Sequence, residues 1–166
     1  MDSEQFRRSL EPGGAHELLA RLVGRWAGDV RTWFEPGKLG DKAPIRGVIQ
    51  AVMGGRFVLH EYRTSLLGHS CQGFALFGYH LARERFEMTW MDNCHLGTGM
   101  MFATGRRTEL GFYVVGSYED PAGGPPWRWR TEVELQDEAH LRFVSYNISP
   151  QGHEAKAVDI RYVREE

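Results

Sequence analysis

The densest group of chemically capable side chains is the run Trp90-Met91-Asp92-Asn93-Cys94-His95. Just upstream, Phe86, Met88, Trp90 and Asp92 fall on one parity, so in a strand they share a face. If that face points inward, Asp92 ends a strand at the mouth of a cavity, under a lid formed by Asn93 to Leu96. An Asp in that place would accept a hydrogen bond from a ligand, or act as a base once desolvation raised its pKa. The competing reading is a turn, because Asp-Asn is ordinary hairpin chemistry that caps backbone N–H groups. Cys94 and His95 make no convincing nucleophile pair, since adjacent strand residues point apart and no third group is evident to orient them.

A second group is His60, Glu61, Tyr62 and Arg63. Either His60 and Tyr62 face inward, or Glu61 and Arg63 do. Phe57 and Leu59 argue for Glu61 inside, and Val58 argues for His60. Burying a Glu61–Arg63 pair is costly unless it is well paired. That tips the balance towards His60 and Tyr62, whose imidazole and phenol would orient a small polar ligand. The seven histidines, at 16, 60, 69, 80, 95, 140 and 153, show neither the spacing of a helical metal pair nor an i, i+2 strand pair, and no metal is expected. There is no phosphate loop, and Gly97-Thr98-Gly99 lacks the strand-to-helix setting of a dinucleotide site. No Ser-His-Asp order with a nucleophile elbow occurs.

The elements that must position these groups are strands. Residues 127–135 read Trp-Arg-Trp-Arg-Thr-Glu-Val-Glu-Leu, with bulky side chains alternating with charged ones and Thr131 in the one middling place. Similar segments are expected over 24–34, 45–53, 56–65, 70–80, 85–92, 97–104, 110–118, 140–148 and 154–164. Between them lie turn residues, including a loop over 35–44, Gly54-Gly55 needing positive φ, and a breaker over 119–126. Ala15, Leu18, Leu19, Leu22 and Val23 form a helical stripe stopped by Gly24. A helix this short must dock its stripe on something, and one end of a barrel is the natural place. No helix separates two strands, which argues against a parallel sheet. The fold class is therefore all-β: about ten antiparallel strands in an up-and-down meander, with one short N-terminal helix. Closure into a barrel removes exposed edges, and a sandwich is the alternative. Residues 1–12 read as a flexible tail and 13–166 as a single domain.

Composition bounds the partners. The net charge of −2 over 166 residues leaves no electrostatic footprint for nucleic acid or an anionic membrane. No apolar run approaches the ~20 residues of a helical membrane span. Residues 1–10 hold no apolar stretch of a secretory signal, so a cytoplasmic location is expected. There the two cysteines, Cys71 and Cys94, are expected to be reduced and buried. Aromatic residues make up 12% of the chain and there are 20 glycines, a mixture that suits tightly curved sheet and could also line a cavity.

Four segments resemble the bacterial family known as domain of unknown function 1579, regarded as lipocalin-like or calycin-like barrels. They are Leu22-Val23-Gly24-Arg25-Trp26-Ala27-Gly28, Met53-Gly54-Gly55-Arg56-Phe57-Val58, Gly78-Tyr79-His80 leading to Thr89-Trp90-Met91-Asp92, and Ile160-Arg161-Tyr162-Val163-Arg164. The family often has Asp after Gly-Tyr, where this chain has His80. The resemblance implies the fold more than a function. Gly24-Arg25-Trp26-Ala27-Gly28 is also similar, more weakly, to the opening of the Gly-x-Trp-x-Gly-x-Gly motif of nitrobindin-like haem barrels. Val30 stands where that motif ends in Gly. In such barrels the Trp plugs one end, which implies a structural Trp26. The likeness also implies an alternative in which His153, at the start of the last strand, ligates haem iron.

Taken together, the residues lead us to expect a barrel that binds a small apolar or aromatic molecule in its interior, through His60, Tyr62, Phe86, Met88, Trp90 and Asp92, without a cofactor. Three alternatives stand beside it: a small hydrolase or isomerase using Asp92 with His60 or His95, a haem protein, and a structural barrel filled by its own aromatics. A homodimer through a barrel face is compatible with the sequence, which shows no clear patch for it.

Overall fold

The computed structural model describes residues 3–166. Ten strands form the wall: β1 (Gly24–Glu35), β2 (Lys38–Val52), β3 (Phe57–Leu66), β4 (His69–His80), β5 (Arg85–Asp92), β6 (Met101–Gly105), β7 (Gly111–Tyr118), β8 (Trp127–Leu135), β9 (His140–Ile148) and β10 (Glu154–Arg164). Each strand pairs antiparallel with its sequence neighbours, and β1 also pairs with β10, which closes the barrel. Alternation decides the faces. Along β8, Trp129, Thr131, Val133 and Leu135 are buried, while Arg128, Arg130, Glu132 and Glu134 point outward.

One end is sealed by helix α2 (Ala15–Leu22), which buries Ala15, Leu18, Leu19 and Leu22. Trp26 is fully buried beneath it, and its Nε1 donates to the Leu22 carbonyl at 2.9 Å. The Arg164 guanidinium lies 4.2 Å over the Trp26 ring and donates to the carbonyls of Val23 and Arg21, at 2.6 and 2.8 Å. These are carbonyls that the end of a short helix leaves without intrahelical partners. Below this plug the barrel fills itself. Phe86 stacks on Phe112 with centroids 4.2 Å apart, and Phe77 meets Phe112 edge-on.

The sequence expectations hold for the strands, with local differences. The loop expected over 35–44 is a short turn, and β2 already begins at Lys38. Pro44 therefore lies inside a strand. It is tolerated because β2 pairs with β3 only over Arg46–Val52, so Pro44 faces a single neighbour, β1, and accepts a bond from the Thr64 hydroxyl at 2.8 Å. Strand β6 starts at Met101 rather than 97, because Asp92 captures the backbone of the preceding loop. Within the stretch expected as a tail, Ser3–Ser9 forms a helix, α1, whose Phe6 meets the buried His16 edge-on; Met1 and Asp2 lie outside the described residues.

Cys71 and Cys94 are not free thiols, as the sequence led us to expect: they form a disulfide, with Cα atoms 5.7 Å apart. The β4–β5 hairpin explains it. Gly73 pairs with Asp92, and Cys71 and Cys94 lie two residues further out on either side of that pair. The register places their side chains together.

Candidate functional site

At the end away from α2 the barrel is hollow. A chamber of about 80 Å³ is lined on its apolar side by Ile45, Ala75, Phe77, Met88 and Phe143, and on its polar side by His60, Tyr62, Thr131 and Ser145. A second, outer chamber of about 250 Å³ lies against residues that include Trp33, Phe34, Leu96, Tyr118 and Asn147. Trp90, His95, Trp129 and Val158 border both, so they form the partition between the chambers. Three of the four are strand residues. His95 alone belongs to the loop between β5 and β6.

The parity left open by the sequence is decided by the register of β3. Its His60 and Tyr62 face in, and Glu61 and Arg63 face the outer surface. His60 is fully buried, stacked 5.1 Å from Phe143, with Nε2 3.1 Å from the Tyr162 hydroxyl. Burial without a counter-charge pushes its pKa down to about 3, so it is neutral at ordinary pH. Two glycines make room for these groups. A Cβ on Gly47 would lie 2.6 Å from the Tyr162 hydroxyl and 2.7 Å from His60 Nε2, and one on Gly73 would lie 2.3 Å from the Tyr62 hydroxyl.

Tyr62 accepts a hydrogen bond from Trp90 Nε1 at 2.9 Å. Burial first, and the charge of Asp92 second, push its phenol pKa up, so it keeps its proton. Trp90 in turn stacks on Trp129 with centroids 5.6 Å apart. The partition is thus a pair of indoles pinned by Tyr62, with the His95 ring leaning against both.

Asp92 does not line either chamber. Its carboxylate holds the loop: Oδ1 accepts the backbone N–H groups of Cys94, His95 and Leu96 at 3.3, 2.7 and 2.9 Å, and Oδ2 lies 2.5 Å from His95 Nδ1. Burial alone would raise its pKa. The hydrogen bond and charge of His95 and the backbone donors outweigh that and hold it below the usual carboxylate value. Asp92 therefore stays ionised, fixing the His95 Nδ1 as a donor and leaving Nε2 on the side of the chambers. Both sequence readings of Asp92 meet here, since it is the turn-capping residue and it orients a histidine at the mouth.

Of the six residues named from the sequence, His60, Tyr62, Met88 and Trp90 line the inner chamber, and Asp92 acts through His95. Phe86 faces inward, but in the filled half, stacked on Phe112. His153 lies exposed in the turn before β10, lines neither chamber, and the inner chamber is far smaller than a haem needs; the residues present do not fit that group. The sequence missed Trp129, Thr131, Phe143, Ser145 and Tyr162, all from the three C-terminal strands. One signal was available: Thr131 is the single polar residue on the inward row of β8.

Residues 11–164 match the family described as "Protein of unknown function (DUF1579)", and the chain belongs to that family. No curated protein matches it. Among solved structures it is similar to Rv2717c from M. tuberculosis, at 12% identity over 92% of this chain and 98% of that one, with a TM-score of 0.64. That likeness shows the fold alone. A DUF3598-family protein of unknown function from Nostoc punctiforme PCC 73102 matches at 8% identity over 92% of this chain and 99% of that one, with a TM-score of 0.26, too low to carry an argument. No helix among the described residues is long and apolar enough to cross a membrane.

Proposed function

We propose that this member of the DUF1579 family binds a small, largely apolar molecule inside its barrel, with the indole–histidine partition as the entrance. One observation carries the reading. The helix-side half of the interior is packed solid with aromatic rings, whereas the other half keeps a chamber with a buried, neutral histidine on its wall. A barrel filled only for stability has no reason to bury a polar group beside empty space. The inner chamber of about 80 Å³ is well below the roughly 300–1,000 Å³ of drug-sized sites, so its occupant is either a few heavy atoms or a ring that displaces His95 and extends outward. Trp90, Trp129, Met88 and Phe143 supply apolar contact, at roughly 25 cal/mol per Å² buried before the entropic costs of binding.

Native mass spectrometry of the protein purified from its own cells tests this directly. A small molecule released on denaturation supports a container and names the ligand class. Trp90→Ala and Tyr62→Ala should then weaken binding of that molecule. If both variants bind it with unchanged affinity, the site lies elsewhere and the assignment fails.

A second reading is favoured by the Asp92–His95 pair. A carboxylate that fixes Nδ1 of a histidine leaves Nε2 able to take a proton from a substrate in the chambers. This reading requires a pH-dependent turnover that Asp92→Asn abolishes. A turnover indifferent to that substitution would remove it.

A further inference from the structure

The protons on the chamber wall specify the ligand more narrowly. Tyr162 is buried, its hydroxyl has one hydrogen-bond partner among the described residues, His60 Nε2, and burial raises its pKa so that it keeps its proton. A buried O–H left without an acceptor is costly, so the Tyr162 proton points at Nε2. Nε2 is then the bare nitrogen of the ring. Because His60 is neutral, its single proton must sit on Nδ1. His60 Nδ1 has no protein partner among the described residues, and the ring lines the inner chamber. The same accounting applies across the chamber. The hydroxyls of Thr131 and Ser145 lie 3.0 Å apart and, among the described residues, bond only to each other, so one donates and the proton of the other is unspent. Tyr62 also lines the chamber, where its hydroxyl accepts from Trp90 Nε1 and its raised pKa keeps the phenol protonated.

We infer that the inner chamber is a donor-lined pocket that selects a ligand bearing a hydrogen-bond acceptor, a carbonyl-type oxygen carried on a small apolar frame. The inference rests on the container reading above and adds the class of molecule. Two donors, the His60 Nδ1–H and one hydroxyl of the Thr131–Ser145 pair, suit the two lone pairs of a carbonyl oxygen. A purely hydrocarbon ligand would leave both donors desolvated and unpaired.

The test uses the unaltered protein and two probes of one shape, cyclopentanone and methylenecyclopentane, which differ only in C=O against C=CH₂. Their binding is followed by the methyl and indole NMR resonances of Met88, Trp90 and Trp129. Each affinity is compared with the probe's own partition from water into a hydrocarbon. The ketone should bind at least tenfold more tightly than its partition accounts for, and the hydrocarbon no more tightly than its own. The ring ¹⁵N shifts of His60 should report the Nδ1–H form and move when the ketone binds. If both probes follow partition alone, or if His60 carries its proton on Nε2, the acceptor inference is overturned while the container stands. If neither probe perturbs the chamber resonances at millimolar concentration, the container reading itself falls and the inference with it.

Discussion

Lowering the pH from 7.5 to 5 should destabilise this protein through His60, and the size of the effect follows from its burial. In the unfolded chain His60 titrates at the ordinary value of 6.5, whereas in the folded barrel its pKa is pushed down to about 3. Below pH 6.5 the unfolded chain therefore binds a proton that the folded chain refuses. The stability contributed by keeping His60 neutral is fully present above pH 6.5 and is lost as pH falls towards 3. Each unit is worth about 1.4 kcal/mol, so at pH 5 the loss approaches about 2 kcal/mol and, carried to pH 3, it is on the order of 5 kcal/mol. For a chain of this size, 2 kcal/mol corresponds to roughly 4–8 °C in Tm. His16 is also buried with a lowered pKa and pulls the same way, so urea unfolding at both pH values is compared between the native chain and His60→Phe, which keeps a ring against Phe143. The variant should lose about one proton's worth of the slope. A direct ¹H NMR titration of the His60 ring gives an answer even if the variant folds poorly. A midpoint near 6.5 in the folded protein would refute the argument, because a histidine that charges freely is neither desolvated nor confined to one tautomer.

Three further substitutions probe the walls around it. Asp92→Asn keeps an oxygen for the three backbone donors but loses the charge. It should cost about 2–4 kcal/mol in urea unfolding, since hydrogen bonds to a charged group are each worth about 1 kcal/mol more than neutral ones and do not add fully; faster hydrogen exchange at residues 94–96 should accompany it. Reducing the Cys71–Cys94 bridge, or replacing Cys94 by Ser, should cost about 3 kcal/mol for a loop spanning 23 residues; an unchanged denaturation midpoint under reductant would count against the bridge. Gly47→Ala pushes a methyl group against the His60–Tyr162 pair and should cost about 1–3 kcal/mol while moving the His60 ring resonances; silent resonances would mean that the close approach is relieved elsewhere.

Much of the scaffold is legible in the sequence because strands write their burial locally. A period of two in Trp127 to Leu135, or in Arg85 to Asp92, needs no partner to be read, and in both segments the strand bounds agree with expectation. The helix stripe of Ala15 to Leu22 is equally local. The candidate site is only half legible, for a physical reason. His60 and Tyr62 share one row of β3, and Met88 and Trp90 share one row of β5, so parity and the cost of burying Glu61 with Arg63 pointed to them. Ser145 and Phe143 reach the same chamber from a strand far away in sequence, Tyr162 bonds the chamber's His60 from 102 residues away, and only the closure of β1 on β10 brings that pair together.

What the sequence determined by itself is the all-β meander, the plug helix, and the placing of Asp92 at a strand end. Register decided the rest. Sliding one strand past its neighbour by a residue reverses every side chain on it, and no local pattern fixes that choice when both parities carry apolar residues, as in β3 and β4. The same register joined Cys71 to Cys94, which spacing alone could not pair. Whether Phe86 filled the core or faced a cavity depended on how far along the barrel axis it sat. That position is set by the tilt of ten strands together, and so only the tertiary structure could assign it to the packed half and leave the chamber to His60.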